Sequence, residues 1–85
     1  MTVRLLYFAW VREQVGLGEE VVDAETPVPL GALLGQLQTL SPGHKQALAD
    51  RTRLRAAINQ NFAGWDTPVN AGDEVAIFPP VTGGN

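Results

Sequence analysis

Residues 72–84 have the sequence Gly-Asp-Glu-Val-Ala-Ile-Phe-Pro-Pro-Val-Thr-Gly-Gly, and the order of structural elements can be built outward from them. Residues 70–73 are typical of a turn, and residues 74–78 alternate in the manner of a strand. Pro79 and Pro80 cannot continue a ladder of hydrogen bonds and favour an extended polyproline geometry. We therefore predict one domain over residues 1–78, followed by a flexible tail over residues 79–85.

The segments before this strand predict a small mixed sheet. Residues 2–11 and 19–24 are rich in β-branched, aromatic and aliphatic residues and predict two antiparallel strands joined by a turn at residues 16–18. Residues 54–59 predict a third strand, and residues 61–69 a loop with a short edge strand. Residues 47–50 predict a single helical turn.

One main helix is predicted from leucines at the spacing of one helical face: Leu30, Leu33, Leu34, Leu37 and Leu40. Thr26 is the expected N-cap, with Pro27 and Pro29 in the first turn and residues 41–43 ending the helix. One such helix covers only one face of a sheet. The expected fold is therefore α+β, a mixed sheet of four to five strands with the helix on one face and the other face open to water or a partner.

The open face can be identified from its charges. Because side chains alternate across a strand, Val3, Leu5 and Tyr7 point one way, and Arg4, Leu6 and Phe8 the other. The charged side, with Arg4, Glu74, Arg53 and Arg55, is expected to face outward, and it also carries Leu6, Phe8, Phe78 and, if the first strand extends that far, Trp10. Scattered surface hydrophobic residues are the ordinary interpretation. We favour a continuous apolar patch rimmed by arginines, which is typical of a protein-binding surface.

Composition excludes several classes of function. The 85 residues carry a formal charge of −3 and no cysteine, which argues against nucleic-acid binding and excludes disulfides and thiolate chemistry. The longest apolar run, residues 5–11, is far shorter than a membrane span. No small-residue cleavage site follows that run, so we expect a cytoplasmic protein without membrane contact.

The side chains of the sequence show no recognisable catalytic or metal-binding pattern. The single histidine, His44, is expected to be an exposed loop residue, and Glu19, Glu20, Asp23 and Glu25 a solvated edge. No metal site is predicted. The cluster of Arg51, Arg53 and Arg55 is compatible equally with a rim for an acidic partner and with ordinary surface charge.

The remaining signal is a resemblance to the molybdopterin synthase small subunit family, the MoaD family of ubiquitin-like sulfur carriers. The resemblance rests on four segments of the sequence: Phe8-Ala9, Val11-Arg12-Glu13, Ala57-Ile58-Asn59-Gln60 and the whole of residues 72–84. A bare Gly-Gly would be weak evidence, but the longer closing run together with Val-Arg-Glu is specific. The resemblance implies a β-grasp fold, which has the element order predicted above.

The resemblance also implies a mechanism without catalytic machinery in this chain. The carboxylate of Gly84 is adenylated by a ubiquitin-activating-like adenylyltransferase, which uses the ATP, and a sulfur donor protein then displaces AMP to leave a thiocarboxylate. The tail, with Gly83 inside the tunnel, enters the large subunit of a heterotetramer, where two such transfers convert cyclic pyranopterin monophosphate into molybdopterin. The chain itself binds no cofactor. Partner contacts are expected at Leu6, Phe8, Trp10, Arg12, Phe78, Pro79, Pro80, Val81 and Thr82.

One residue departs from the family pattern. Asn85 follows Gly84, which then has a peptide carbonyl that cannot be adenylated. Asn85 is either removed by a peptidase, a residue added for expression, or the mark of a chain that has lost the carrier step. If Asn85 is retained, the chain is instead a ubiquitin-like interaction module that never carries sulfur. A second alternative, within the same class as the implied function, is a sulfur carrier for thiamine thiazole synthesis or tRNA thiolation.

Overall fold

The last strand occupies the centre of the main sheet. The computed structural model describes residues 1–80, and in that part of the chain the main sheet has five strands in the order β2-β1-β7-β4-β5. Strand β7 runs parallel to β1 and antiparallel to β4, and a separate two-stranded sheet pairs β3 with β6. The elements in chain order are β1 (Thr2–Tyr7), α1 (Ala9–Val15), β2 (Glu19–Asp23), β3 (Val28–Pro29), α2 (Leu30–Leu37), α3 (Pro42–Ala47), a 3₁₀ turn (Arg51–Arg53), β4 (Arg55–Ile58), β5 (Asn61–Ala63), β6 (Pro68–Val69) and β7 (Glu74–Phe78).

The inner face of the sheet builds one core with the helices. Val3, Leu5 and Tyr7 of β1 are buried beside Val75 and Ile77 of β7, as the alternation predicted. The helices add a further set of buried side chains: Val11, Val15, Leu30, Leu33, Leu34, Leu37 and Ala47. The helical layer is therefore made of three short helices, of which α2 is the longest, instead of one helix alone.

The first strand is shorter than the sequence pattern suggested. Strand β1 ends at Tyr7, and the expectation of a strand through residue 11 was wrong. The chain turns at Ala9, which has a positive φ of 54°, and α1 then buries Val11 and Val15, four positions apart on one helical face. Because Trp10 belongs to α1, it does not lie in register with Leu6 and Phe8 on the outer face.

Three other expected boundaries were also wrong. The N-cap of α2 is Pro29 instead of Thr26, because residues 28–29 are extended and pair with β6. Helix α2 ends at Leu37, and Leu40 is half exposed beyond it. The next helix starts at Pro42 with Ser41 as its N-cap, and not at residue 47 as expected.

Among residues 1–80, no helix has both the length and the apolar character that a bilayer crossing requires.

Candidate functional site

The outer face of the sheet carries an apolar row that crosses four strands. Leu6 lies opposite Ala76, Ala76 opposite Ala57, and Ala57 opposite Phe62, so the four residues are directly paired neighbours. Phe62 is 82 % exposed, and its ring centroid lies 6.0 Å from that of Phe78. We call these five residues the outer apolar row. Large apolar side chains gathered in this way on an open face are typical of a docking surface.

Phe62 is the functional candidate that sequence reasoning missed. Residues 61–69 were expected to be mainly loop, and a loop has no defined face. In the structure, β5 pairs with β4 and places Phe62 on the same side as Phe78. The available signal in the sequence was Asn59, because asparagine is common in tight hairpin turns. In the structure, Asn59 and Gln60 both have positive φ, as a tight hairpin requires.

Phe8 lies at the end of the row where the chain leaves the domain. Its backbone N–H donates to the carbonyl of Ile77 at 3.2 Å, which fixes Phe8 beside the last strand. The side chain of Phe8 is half exposed. The structure thus gathers Phe8, Phe62 and Phe78 near the C-terminal end of β7.

A shallow groove begins where the tail begins. It is lined by Trp10, Thr52, Arg53, Pro79 and Pro80, and the last two are the final described residues. Trp10 reaches this groove from α1 and also packs against the core. The tail positions Val81, Thr82, Gly83 and Gly84, and Asn85 with them, lie outside the described residues.

Arg12 was also expected to contact partners, and it lies exposed on α1. Its guanidinium packs closely over Gly18 at the start of the second strand, where a Cβ would meet Nε at 3.2 Å. Its position places it on the helical layer, away from the outer apolar row. Its role as a contact stays a prediction.

The three clustered arginines have different surroundings. Arg51 donates to the carbonyl of Gly31 at 2.7 Å and lies 6.0 Å from the ring of Trp65, so it ties the 3₁₀ turn to α2. Arg53 lies over the ring of Trp10, with the guanidinium carbon 4.8 Å from the centroid. Arg55 lies opposite Phe78 in the sheet register. Two of the three, Arg53 and Arg55, therefore lie near the start of the tail.

His44 is not the exposed loop residue that was expected. It lies on α3 and is only 5 % exposed. Its Nε2 lies 2.6 Å from Glu20 Oε2 and its Nδ1 lies 2.7 Å from Ser41 Oγ. Since a carboxylate only accepts, Nε2–H is the donor to Glu20.

Tyr7 completes this buried network. Its hydroxyl donates to Glu20 Oε2 at 2.8 Å, and burial together with this bond raises the pKa of Tyr7 well above its ordinary value. Glu20 is accordingly a half-buried acceptor and not part of a solvated edge. The network fastens β1, β2 and α3 together and lies on the inner side of the sheet, so its role is to hold the frame of the site. Among residues 1–80, no group of three or more His, Asp or Glu side chains could hold a metal ion.

Comparison with known proteins agrees with this geometry. The chain matches the ThiS family over residues 5–84. It is 44 % identical over 82 residues to the molybdopterin synthase sulfur carrier subunit of Escherichia coli, covering 96 % of this chain and 99 % of that protein. Among solved structures it is similar to the small archaeal modifier SAMP1 of Haloferax volcanii, with a TM-score of 0.79, 28 % identity and coverage of 99 % and 100 % of the two chains.

A second solved structure is a protein–protein complex of subunits 1 and 2 of the molybdopterin-converting factor from Helicobacter pylori. The similarity there has a TM-score of 0.68 and 27 % identity, and it covers 99 % of this chain and 100 % of that one. These likenesses confirm the predicted β-grasp fold and the predicted resemblance. The chain belongs to the ThiS family and groups within it with the sulfur carrier subunits of molybdopterin synthase.

Proposed function

We propose that this chain is the sulfur carrier subunit of a molybdopterin synthase, with Gly84 as the residue that carries sulfur. The chain supplies a backbone carboxylate and a docking surface, and the large subunit supplies the catalytic site. The absence of cysteine from the sequence is compatible with this role, because a thiocarboxylate needs no side-chain thiol.

The chemistry takes place at one carbonyl carbon. The carboxylate of Gly84 attacks the α-phosphate of ATP on an adenylyltransferase, which releases pyrophosphate and leaves an acyl adenylate. Sulfur delivered by a donor protein then displaces AMP, so a carbon–sulfur bond forms as the carbon–oxygen bond to AMP breaks. In the large subunit the thiocarboxylate sulfur bonds to a carbon of cyclic pyranopterin monophosphate in place of an oxygen. Water then cleaves the acyl carbon–sulfur bond and restores the Gly84 carboxylate, and two carriers complete the dithiolene.

The observation that carries the proposal is the position of the end of β7. The strand ends at Phe78, beside the exposed ring of Phe62, and the backbone N–H of Phe8 donates to the neighbouring Ile77. Pro79–Pro80 follow the end of the strand. From Phe78 to Gly84 an extended chain reaches roughly 20 Å. A partner that docks on the outer apolar row would therefore have the tail within reach of its own interior.

Glycine at the last two carrier positions suits a narrow channel, because it lacks a Cβ and tolerates any φ. Asn85 blocks the chemistry until it is removed, since an amide carbonyl at Gly84 cannot attack ATP. We therefore infer that a peptidase trims Asn85 before activation.

The test is the intact mass of the protein purified from its native cells. We expect loss of Asn85, and a fraction of the trimmed chain with one oxygen replaced by one sulfur at Gly84. Retention of Asn85 in all native material would contradict the proposal and favour an interaction module that carries no sulfur.

A matched pair of chains sharpens the test. One ends at Gly84 and the other retains Asn85, and each is incubated with adenylyltransferase and ATP while pyrophosphate release is followed. We expect release only with the chain that ends at Gly84. Equal release from both, or from neither, would remove Gly84 from the mechanism.

A further inference from the structure

The cations of this acidic protein are unevenly distributed. Three of its six Lys and Arg residues lie within residues 51–55, whereas the formal charge of the whole chain is −3. The guanidinium of Arg51 donates to the carbonyl of Gly31, and Arg4, on the outer face, forms an ion pair with Glu19 at 3.1 Å. Arg53 and Arg55 lie next to the start of the tail, and of these two Arg55 donates to the carbonyl of Leu54 at 2.7 Å, whereas the guanidinium of Arg53 makes no hydrogen bond within residues 1–80.

Arg53 has an unusually defined orientation for an exposed arginine. Its guanidinium lies over the ring of Trp10, and it borders the groove that holds Pro79 and Pro80. Stacking on an aromatic face fixes the plane of a guanidinium and leaves its N–H edge pointing outward. Within residues 1–80, the guanidinium of Arg53 makes no hydrogen bond and no ion pair closer than 4.0 Å, although its charge acts on the nearby carboxylate of Asp50 on the same turn.

The backbone that carries Arg53 is also held in place. Asp50 caps the 3₁₀ turn, since its Oδ1 accepts from the backbone N–H of Thr52 at 3.0 Å and from the Thr52 hydroxyl at 2.5 Å. These two bonds, together with the charge of Arg53, lower the pKa of Asp50. The turn therefore presents Arg53 from a fixed position beside the exit of β7.

A planar fork of N–H donors matches a carboxylate, which it binds through two parallel hydrogen bonds. We propose that Arg53, stacked on Trp10, receives an aspartate or glutamate side chain of the large subunit at the mouth of the channel that takes the tail. This inference rests on the proposed function. Arg55, which lies opposite Phe78 in the sheet register, adds positive charge near Arg53.

Charge complementarity supports a carboxylate of a protein partner over a nucleic-acid backbone. Two cations are too few for a polyanion, and acidic residues such as Glu19 and Glu74 lie elsewhere on the outer face. The site is continuous with the outer apolar row through Phe78. A charged contact at the rim of an apolar interface contributes to the association rate and to the register of docking.

The test measures binding of the large subunit to Arg53→Gln and Arg53→Lys chains at two salt concentrations. We expect Arg53→Gln to weaken binding by about 10- to 100-fold at low salt, because a charge-assisted pair is lost. Arg53→Lys keeps the charge but not the fork or the stacking, so it should recover only part of the affinity. The matched control is Lys45→Gln, which removes one positive charge from α3 and should leave the affinity unchanged.

Thermal unfolding of each variant shows whether the domain is intact. Wild-type affinity and wild-type salt dependence in Arg53→Gln would overturn the inference while leaving the proposed function standing. Equal losses in Arg53→Gln and Lys45→Gln would also overturn it, since they would report only net charge. If the unaltered chain fails to bind the large subunit, the proposed function itself is wrong.

Discussion

Replacing Phe62 with alanine tests whether the outer apolar row is the docking surface. The ring is 82 % exposed in the free chain, so almost all of it is available to a partner. A buried aromatic side chain removes ~150 Å² from water, and four fifths of that area at ~25 cal/mol/Å² gives ~3 kcal/mol. We therefore expect the dissociation constant for the large subunit to rise about 100-fold, as measured by titration calorimetry.

The domain should tolerate this change. The ring packs against that of Phe78, and an aromatic pair contributes about 1 kcal/mol. Leu40→Ala is the control, because Leu40 is a half-exposed apolar residue beyond α2, in the helical layer. If Phe62→Ala binds with wild-type affinity, or if Leu40→Ala loses as much, the outer apolar row is not the interface.

Two predictions concern the frame that holds the site. A Cβ at Gly43 would clash with the carbonyl oxygen of Gln14, whereas a Cβ at Gly35 meets nothing within 4 Å. Gly43→Ala should therefore lower the free energy of unfolding by roughly 1–3 kcal/mol. Gly35→Ala should raise it by up to ~1 kcal/mol, because alanine is the better helix former. Urea titrations compare the two, and equal effects would refute the packing argument. Because the pKa of Tyr7 is raised in the folded chain, the unfolded chain loses its phenolic proton at a lower pH than the folded chain does. The contribution of Tyr7 to the free energy of unfolding is therefore fully present below pH ~10 and falls by up to ~1.4 kcal/mol per pH unit above it. Tyr7→Phe should remove this component of the alkaline slope, and an unchanged slope would show that Tyr7 is not its source.

The sheet could be predicted because its pattern is local. The alternation of Glu74 to Phe78 has the period of a strand, and the structure has this strand with the predicted bounds. The inward set of Val3, Leu5 and Tyr7 followed from the same rule. Such patterns identify a face without any knowledge of what packs against it.

The errors arose where distant residues decide the outcome. The apolar run through Val11 fits a strand equally well, and only the turn at Ala9 and the packing of Val15 make it a helix. His44 is buried because Glu20, twenty-four positions earlier, lies beneath α3 and accepts from it. Nothing in the segment Pro-Gly-His-Lys carries that information.

Some residues of the candidate site could also be predicted from local patterns, whereas others are placed there by contacts with distant parts of the chain. Phe8 and Phe78 could be identified from strand alternation, but Phe62 joins them only through the pairing of β5 with β4. The stacking of Arg53 on Trp10 unites a helix and a turn more than forty positions apart in sequence. Trp10 was expected in a strand, so this contact could not have been anticipated.

The placement of β7 has a mechanical consequence. The strand is hydrogen-bonded on both sides, to β1 and to β4, and the tail continues from its end. A force applied at the C-terminal end of β7 and along the strand loads both ladders in shear, so their bonds must yield together. An edge strand pulled outward from its end would instead peel away one bond at a time. The sheet therefore resists a force applied at the C-terminal end of β7 without unravelling strand by strand.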